Sequence, residues 1–124
     1  MPLQSGMHIF YVTERLRKEF EDAGLLFKRR GQPQAEKIQL RLAQIDAAEN
    51  WAELRLLPGR HHELKHEKSG WLSCDLNGNY RLIYEPWPPP APTTADGGLD
   101  GAAVTSVRIL GVLDTHERKN KKPC

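Results

Sequence analysis

The chain has 124 residues, a formal net charge of +2, 39% hydrophobic and 27% charged residues. That suffices for one packed core and not for two, so a single domain over residues 1–124 is expected. No window approaches the run of about 20 apolar residues that a bilayer span needs. Residues 1–12 lack the basic segment and apolar core of a secretory leader, so no membrane association and a cytoplasmic location are expected.

Residues 7–12 (MHIFYV) mix β-branched and aromatic side chains and predict a first strand. Thr13 is placed to cap a helix, and Val12, Leu16, Phe20 and Ala23 recur at helical spacing. That helix is expected to run on to Arg30, where Gly31 and Pro33 stop it. A second helix opens near Pro33. Ala35, Ile38, Leu42 and Ile45 mark its buried stripe, and Glu36, Lys37, Arg41 and Glu49 its wet side. Pro58-Gly59 is a break, and everything after it reads as strand.

Residues 71–76 and 80–85 flank Asn77-Gly78-Asn79, a hairpin signal. A three-residue loop pairs Leu76 with Tyr80 and Cys74 with Leu82, which keeps both apolar sets on one face. Arg81 then shares the opposite face with Trp71, Ser73 and Asp75. Cys74, alternating with Leu72 and Leu76, reads as a buried thiol. Two cysteines make no disulfide framework, and Cys124 has no expected role. Residues 87–103 are dense in Pro and Gly and predict a surface excursion. Residues 104–113 resume as a central strand with apolar side chains on both faces. Helices covering one face of a small antiparallel sheet make an α+β layer whose other face stays available.

The segment RHHELKH (residues 60–66) holds three of the five histidines. On a strand His62 and His66 share a face and His61 points away. Two imidazoles on one strand face fall short of the four ligands zinc prefers, and no CxxC occurs, so no metal site is expected. Imidazole, guanidinium and ammonium on one exposed face suit a phosphodiester. RNA cleavage needs a base for the 2′-hydroxyl, cations for the phosphorane charge and an acid for the leaving oxygen. A plain surface strand fits the same pattern. There is no GxSxG and no glycine-rich phosphate loop. The run Lys28-Arg29-Arg30 and the tail at 117–124 are basic, which suits phosphate contacts or merely a solvated surface.

Residues 58–117 resemble the RelE/ParE toxin superfamily, and within it the HigB-like plasmid-maintenance killer branch. The resemblance rests on His62-Glu63-Leu64-Lys65, Gly70-Trp71, Asn77-Gly78-Asn79-Tyr80-Arg81-Leu82 and the closing Asp114-Thr115-His116. The Pro-rich insertion before the last strand is similar to members of that branch too. The resemblance implies a RelE-like fold, with an N-terminal strand and two helices packed on a small antiparallel sheet. It also implies a toxin of a type II toxin–antitoxin system, an endoribonuclease that cuts mRNA on the ribosome without a metal or other cofactor. A helix-turn-helix antitoxin is its implied partner, beside ribosome and mRNA.

Carried over by position, His62 and His116 become the acid–base pair, and Lys65 and Arg81 stabilise phosphate charge. Arg60, Arg108, Lys119 and Lys121 become backbone or rRNA contacts. Trp71 becomes a stacking platform or a core residue. Two positions depart from the branch: Thr115 stands where a Tyr commonly precedes the last His, and His66 where a Gly commonly follows the Lys. A non-catalytic ParE-like inhibitor of DNA gyrase, a weak toxin acting on rRNA or ribosome assembly, and a toxin reduced to antitoxin binding are the competing readings.

Overall fold

The computed structural model describes residues 6–116 and 122–124. Strand β1 (His8–Tyr11) leads into helices α1 (Glu14–Glu21), α2 (Ala23–Arg30), α3 (Gln32–Ala47) and the one-turn α4 (Trp51–Leu54). Strands β2 (His62–Glu63), β3 (Leu72–Asp75), β4 (Tyr80–Pro86) and β5 (Ser106–Asp114) follow, in one sheet ordered β1-β5-β4-β3-β2. The α+β architecture is as expected, with one exception to antiparallel pairing: β1 lies parallel to β5. A parallel neighbour needs a long crossover, and here the chain between Tyr11 and Ser106 supplies it. No helix among the described residues is long and apolar enough to cross a membrane.

Thr13 caps α1 as expected, its Oγ1 accepting from Leu16 N at 3.1 Å. The single helix expected up to Arg30 is two. Asp22 leaves the helical region (φ −117°, ψ 106°), and its carboxylate accepts from Leu25 N at 3.1 Å. A short carboxylate that can bond a nearby N–H ends one helix and caps the next. The break turns Leu26 into the core and leaves Val12 and Ala23, expected in the buried stripe, exposed. Arg30 and Arg29 lie 2.5 and 3.6 Å from the buried Glu19, so this basic run is partly committed inside the fold.

On α3, Ala35, Ile38 and Ile45 are buried as expected, and so is Arg41, which was expected on the wet side. Its Nε donates to Asp75 O at 2.7 Å and its Nη1 to Pro58 O at 3.2 Å. A carbonyl left without a donor inside the fold is costly, and the long Arg stem lets one guanidinium serve Asp75 O while sharing Pro58 O with Gln44. Gly59 lies against that guanidinium: at φ +113°, a Cβ there would stand 2.6 Å from Arg41 Cζ.

The β3–β4 hairpin has the expected register, Cys74 opposite Leu82 and Leu76 N donating to Tyr80 O at 3.0 Å. Burial pushes the Cys74 thiol up to about 12. Strand β5 starts at Ser106 rather than 104 and runs to Asp114. Val107, Ile109 and Val112 join the core under the helices, while Leu113 and Ile83 are buried on the other face. The 87–103 excursion is tied by Thr94 N to Gly98 O (2.8 Å) and Asp100 N to Pro92 O (2.9 Å).

Cys124, expected to have no role, exchanges both backbone hydrogen bonds with Val112 (2.8 and 2.9 Å) beside β5. Gly111 makes room for it, since a Cβ there would stand 2.9 Å from the Cys124 carbonyl. Lys119 and Lys121 lie outside the described residues.

Candidate active site

The helices cover one face of the sheet. On the other, a cleft of about 280 Å³ opens between the segment at 60–68 and the ends of β4 and β5. Ile83 and Leu113 are its apolar floor, Arg60, His62, Lys68 and Arg81 bring basic groups to it, and Ser73, Asp114 and Thr115 contribute oxygens.

His62 occupies the two-residue strand β2, opposite Ser73. Its Nδ1 lies 2.8 Å from Arg60 O. A carbonyl can only accept, so the neutral ring carries its hydrogen on Nδ1 and presents a lone pair at Nε2. That is the form a general base requires. Arg81 projects from β4, where its Nη1 donates to Tyr80 O (2.9 Å) and Gly78 O (3.2 Å). Its Nε stands 3.1 Å from Asp75 Oδ1, and Arg60 Nε stands 3.6 Å from Asp75 Oδ2. Oδ1 is shut off from solvent and meets Arg81 without the alignment of a hydrogen bond. Asp75 thus balances both guanidiniums, and among the described residues neither guanidinium spends all its donors on it.

The end of β5 is stitched to the hairpin loop. Asn79 Nδ2 donates to Asp114 Oδ1 at 2.8 Å, His116 N to the same oxygen at 2.9 Å, and Thr115 N to Asn79 O at 2.9 Å. The Asn79 amide, then the His116 N–H, hold the Asp114 carboxyl below its usual range.

Of the residues expected at the site, Arg60, His62 and Arg81 converge on the cleft. His116 directly follows the cleft-lining Thr115 but is itself exposed and outside the lining. Lys65 is exposed just before a 3-10 turn at His66–Lys68. Trp71 is half-buried, its N donating to Lys68 O at 3.1 Å and its O accepting from Leu64 N at 2.9 Å. Neither lines the cleft. Arg108 lies toward the other end of β5, 2.6 Å from Glu85 and stacked at 3.7 Å over the Trp87 ring. His66 does not share a strand face with His62. It sits in the 3-10 turn at φ +61°, a left-handed conformation that suits glycine.

Sequence reasoning missed Lys68, Ser73 and Asp114 as lining residues and Asp75 as the partner of both arginines. The hairpin register already placed Ser73 and Asp75 on the Arg81 face, which was the available signal. Among the described residues, no group of three His, Cys, Asp or Glu side chains could hold a metal ion.

A family model for the RelE-like toxin of the type II toxin–antitoxin system HigB matches residues 11–89. A mostly antiparallel sheet with helices packed on one face is the RelE-like arrangement. The match spans more than half of the chain, and the chain belongs to the HigB-like toxin family. It includes Arg60, His62 and Arg81 and ends before Asp114–His116. Membership in a type II toxin family implies a cognate antitoxin as partner. No curated protein matches the chain.

Proposed function

We propose that this toxin is an endoribonuclease that cuts mRNA on translating ribosomes and so arrests growth. The observation that carries the reading is the convergence of a His62 ring with its Nε2 lone pair available and the Arg60 and Arg81 guanidiniums on one open cleft. In the proposed reaction His62 Nε2 takes the proton of a ribose 2′-hydroxyl, and O2′ attacks the adjacent phosphorus. The bond to O5′ breaks, and O5′ leaves with a proton from His116, giving a 2′,3′-cyclic phosphate and a 5′-hydroxyl. Arg81 and Arg60 meet the charge on the non-bridging oxygens, and Lys65 adds positive charge beside the 3-10 turn. The scheme calls on no metal. Trp71, Lys119 and Lys121 would contact RNA beyond the scissile bond, and a helix-turn-helix antitoxin would be the natural inhibitor.

Primer extension on a defined mRNA, with and without 70S ribosomes and with EDTA controls, tests the reading. Ribosome-dependent cuts that survive chelation and vanish in Arg81→Ala and His62→Ala are expected. Growth arrest by a protein that makes no cuts would overturn it and direct attention to gyrase supercoiling.

A further inference from the structure

The imidazole beside the proposed base faces the opposite way. His61 is 3% exposed and turned into the core. Its Nδ1 lies 2.7 Å from Tyr84 Oη, and its Nε2 lies 3.0 Å from Gln44 Oε1. Trp51 Nε1 donates to the same Tyr84 oxygen at 2.9 Å.

These contacts have one consistent direction. An indole N–H only donates, so the Tyr84 oxygen accepts from Trp51 and sends its own proton to His61 Nδ1. Nε2 then carries the ring hydrogen and donates to Gln44 Oε1. That leaves the Gln44 amide to donate to Pro58 O, at 2.9 Å. Helices α3 and α4, strand β4 and the segment at 58–61 are joined by a single line of directed hydrogen bonds. Buried polar networks of this kind rigidify what they join when every member is satisfied.

What the line fixes is the backbone between its anchors. Pro58 O is held by Gln44 and Arg41, and His61 is held by Tyr84 and Gln44. Between them Arg60 takes φ +55°, a conformation that a non-glycine residue keeps only when its surroundings impose it. The Arg60 carbonyl is the group that accepts from His62 Nδ1. The tautomer of the cleft histidine therefore depends on a carbonyl pinned from the core side.

We propose that His61 is a positioning residue for the cleft: through Tyr84 and Gln44 it holds the Arg60 carbonyl where it keeps His62 in the Nδ1–H form, Nε2 toward the substrate. The kinetic consequence rests on the ribonuclease reading, whereas the tautomer does not.

The test is long-range proton–nitrogen NMR of the imidazole rings in the full chain at about pH 7, run with ribosome-dependent cleavage kinetics. Wild type should show His61 as Nε2–H and His62 as Nδ1–H. In Tyr84→Phe, His62 should lose its Nδ1–H preference, and kcat should fall about tenfold or more with KM within about twofold. Ile38→Val, a methyl deletion at a buried apolar residue that makes no hydrogen bond in the line, should change neither. If Tyr84→Phe does not fold, Gln44→Ala, at a half-exposed position, takes its place with the same expectation. A folded variant in which His62 stays Nδ1–H would overturn the proposal, as would the same change in Ile38→Val. Should wild type cleave nothing, the ribonuclease reading fails by itself, and the NMR still decides the role of His61.

Discussion

Lowering the pH from about 7 to about 5 should cost the fold roughly 2 kcal/mol through His61 alone. Burial, with the Arg41 charge second, pulls its pKa from 6.5 down to about 4; Asp75 opposes the shift and His62 adds a little to it. The unfolded chain binds this proton near pH 6.5 and the folded chain only near 4. Between those values the unfolded state holds the extra proton, so acid favours unfolding. The loss starts as pH falls through 6.5 and is complete near 4. At about 1.4 kcal/mol per unit the whole window is worth roughly 3 kcal/mol, of which about 2 is gone by about pH 5.

The structural cause is specific. A proton on Nδ1 removes the acceptor of the Tyr84 hydroxyl and sets a charge beside Arg41. Urea unfolding of wild type and His61→Gln at both pH values isolates the contribution, because carboxylates titrate alike in the two proteins. Wild type should lose roughly 2 kcal/mol more than the variant. Parallel pH dependences would show that His61 takes up its proton equally well in the folded state, and would refute the reasoning.

Gly59→Ala adds a Cβ 2.6 Å from Arg41 Cζ at φ +113°, and thermal melts should show a loss of about 2 kcal/mol or more. A loss below about 0.5 kcal/mol would mean that Arg41 simply moves aside. Arg41→Met keeps the stem but strands Asp75 O and leaves Pro58 O to Gln44 alone, which should cost about 1–3 kcal/mol in the same assay. His66→Gly relieves a left-handed non-glycine residue at φ +61° and should gain about 0.5–1 kcal/mol. Its cleavage rate should be unchanged, since His66 does not line the cleft.

The local elements were legible because their signals are local. Thr13, the turn at Asn77-Gly78-Asn79 and the alternation of Leu72, Cys74 and Leu76 each act through neighbours in the chain, and each appears where the pattern places it. The helix break was also written locally, in Asp22, but a continuous apolar period masked it. At the site, His62 and Arg81 could be placed on the open face from strand alternation and the hairpin register. Lys65 and His66 could not, because β2 ends after two residues and a 3-10 turn replaces the expected strand.

The sequence by itself determined the α+β class, the hairpin register and the histidine-rich segment that forms one wall of the cleft. Strand alternation turned His61 away from the face of His62, but only the tertiary structure decided that His61 is bonded at both ring nitrogens and that His66 leaves the strand for a 3-10 turn. His61 and His62 are adjacent and chemically identical, and Tyr84 and Gln44, both distant in sequence, lie ready for one of them. Arg41 is the same case, read as wet from its charge and buried where it donates to carbonyls from two distant segments. The parallel placement of β1 was likewise beyond the sequence, since pairing across the length of the chain leaves no periodic trace in either strand. Hydrogen-bond partners brought together by folding set the burial of polar side chains, and a one-dimensional pattern carries only the apolar half of that decision.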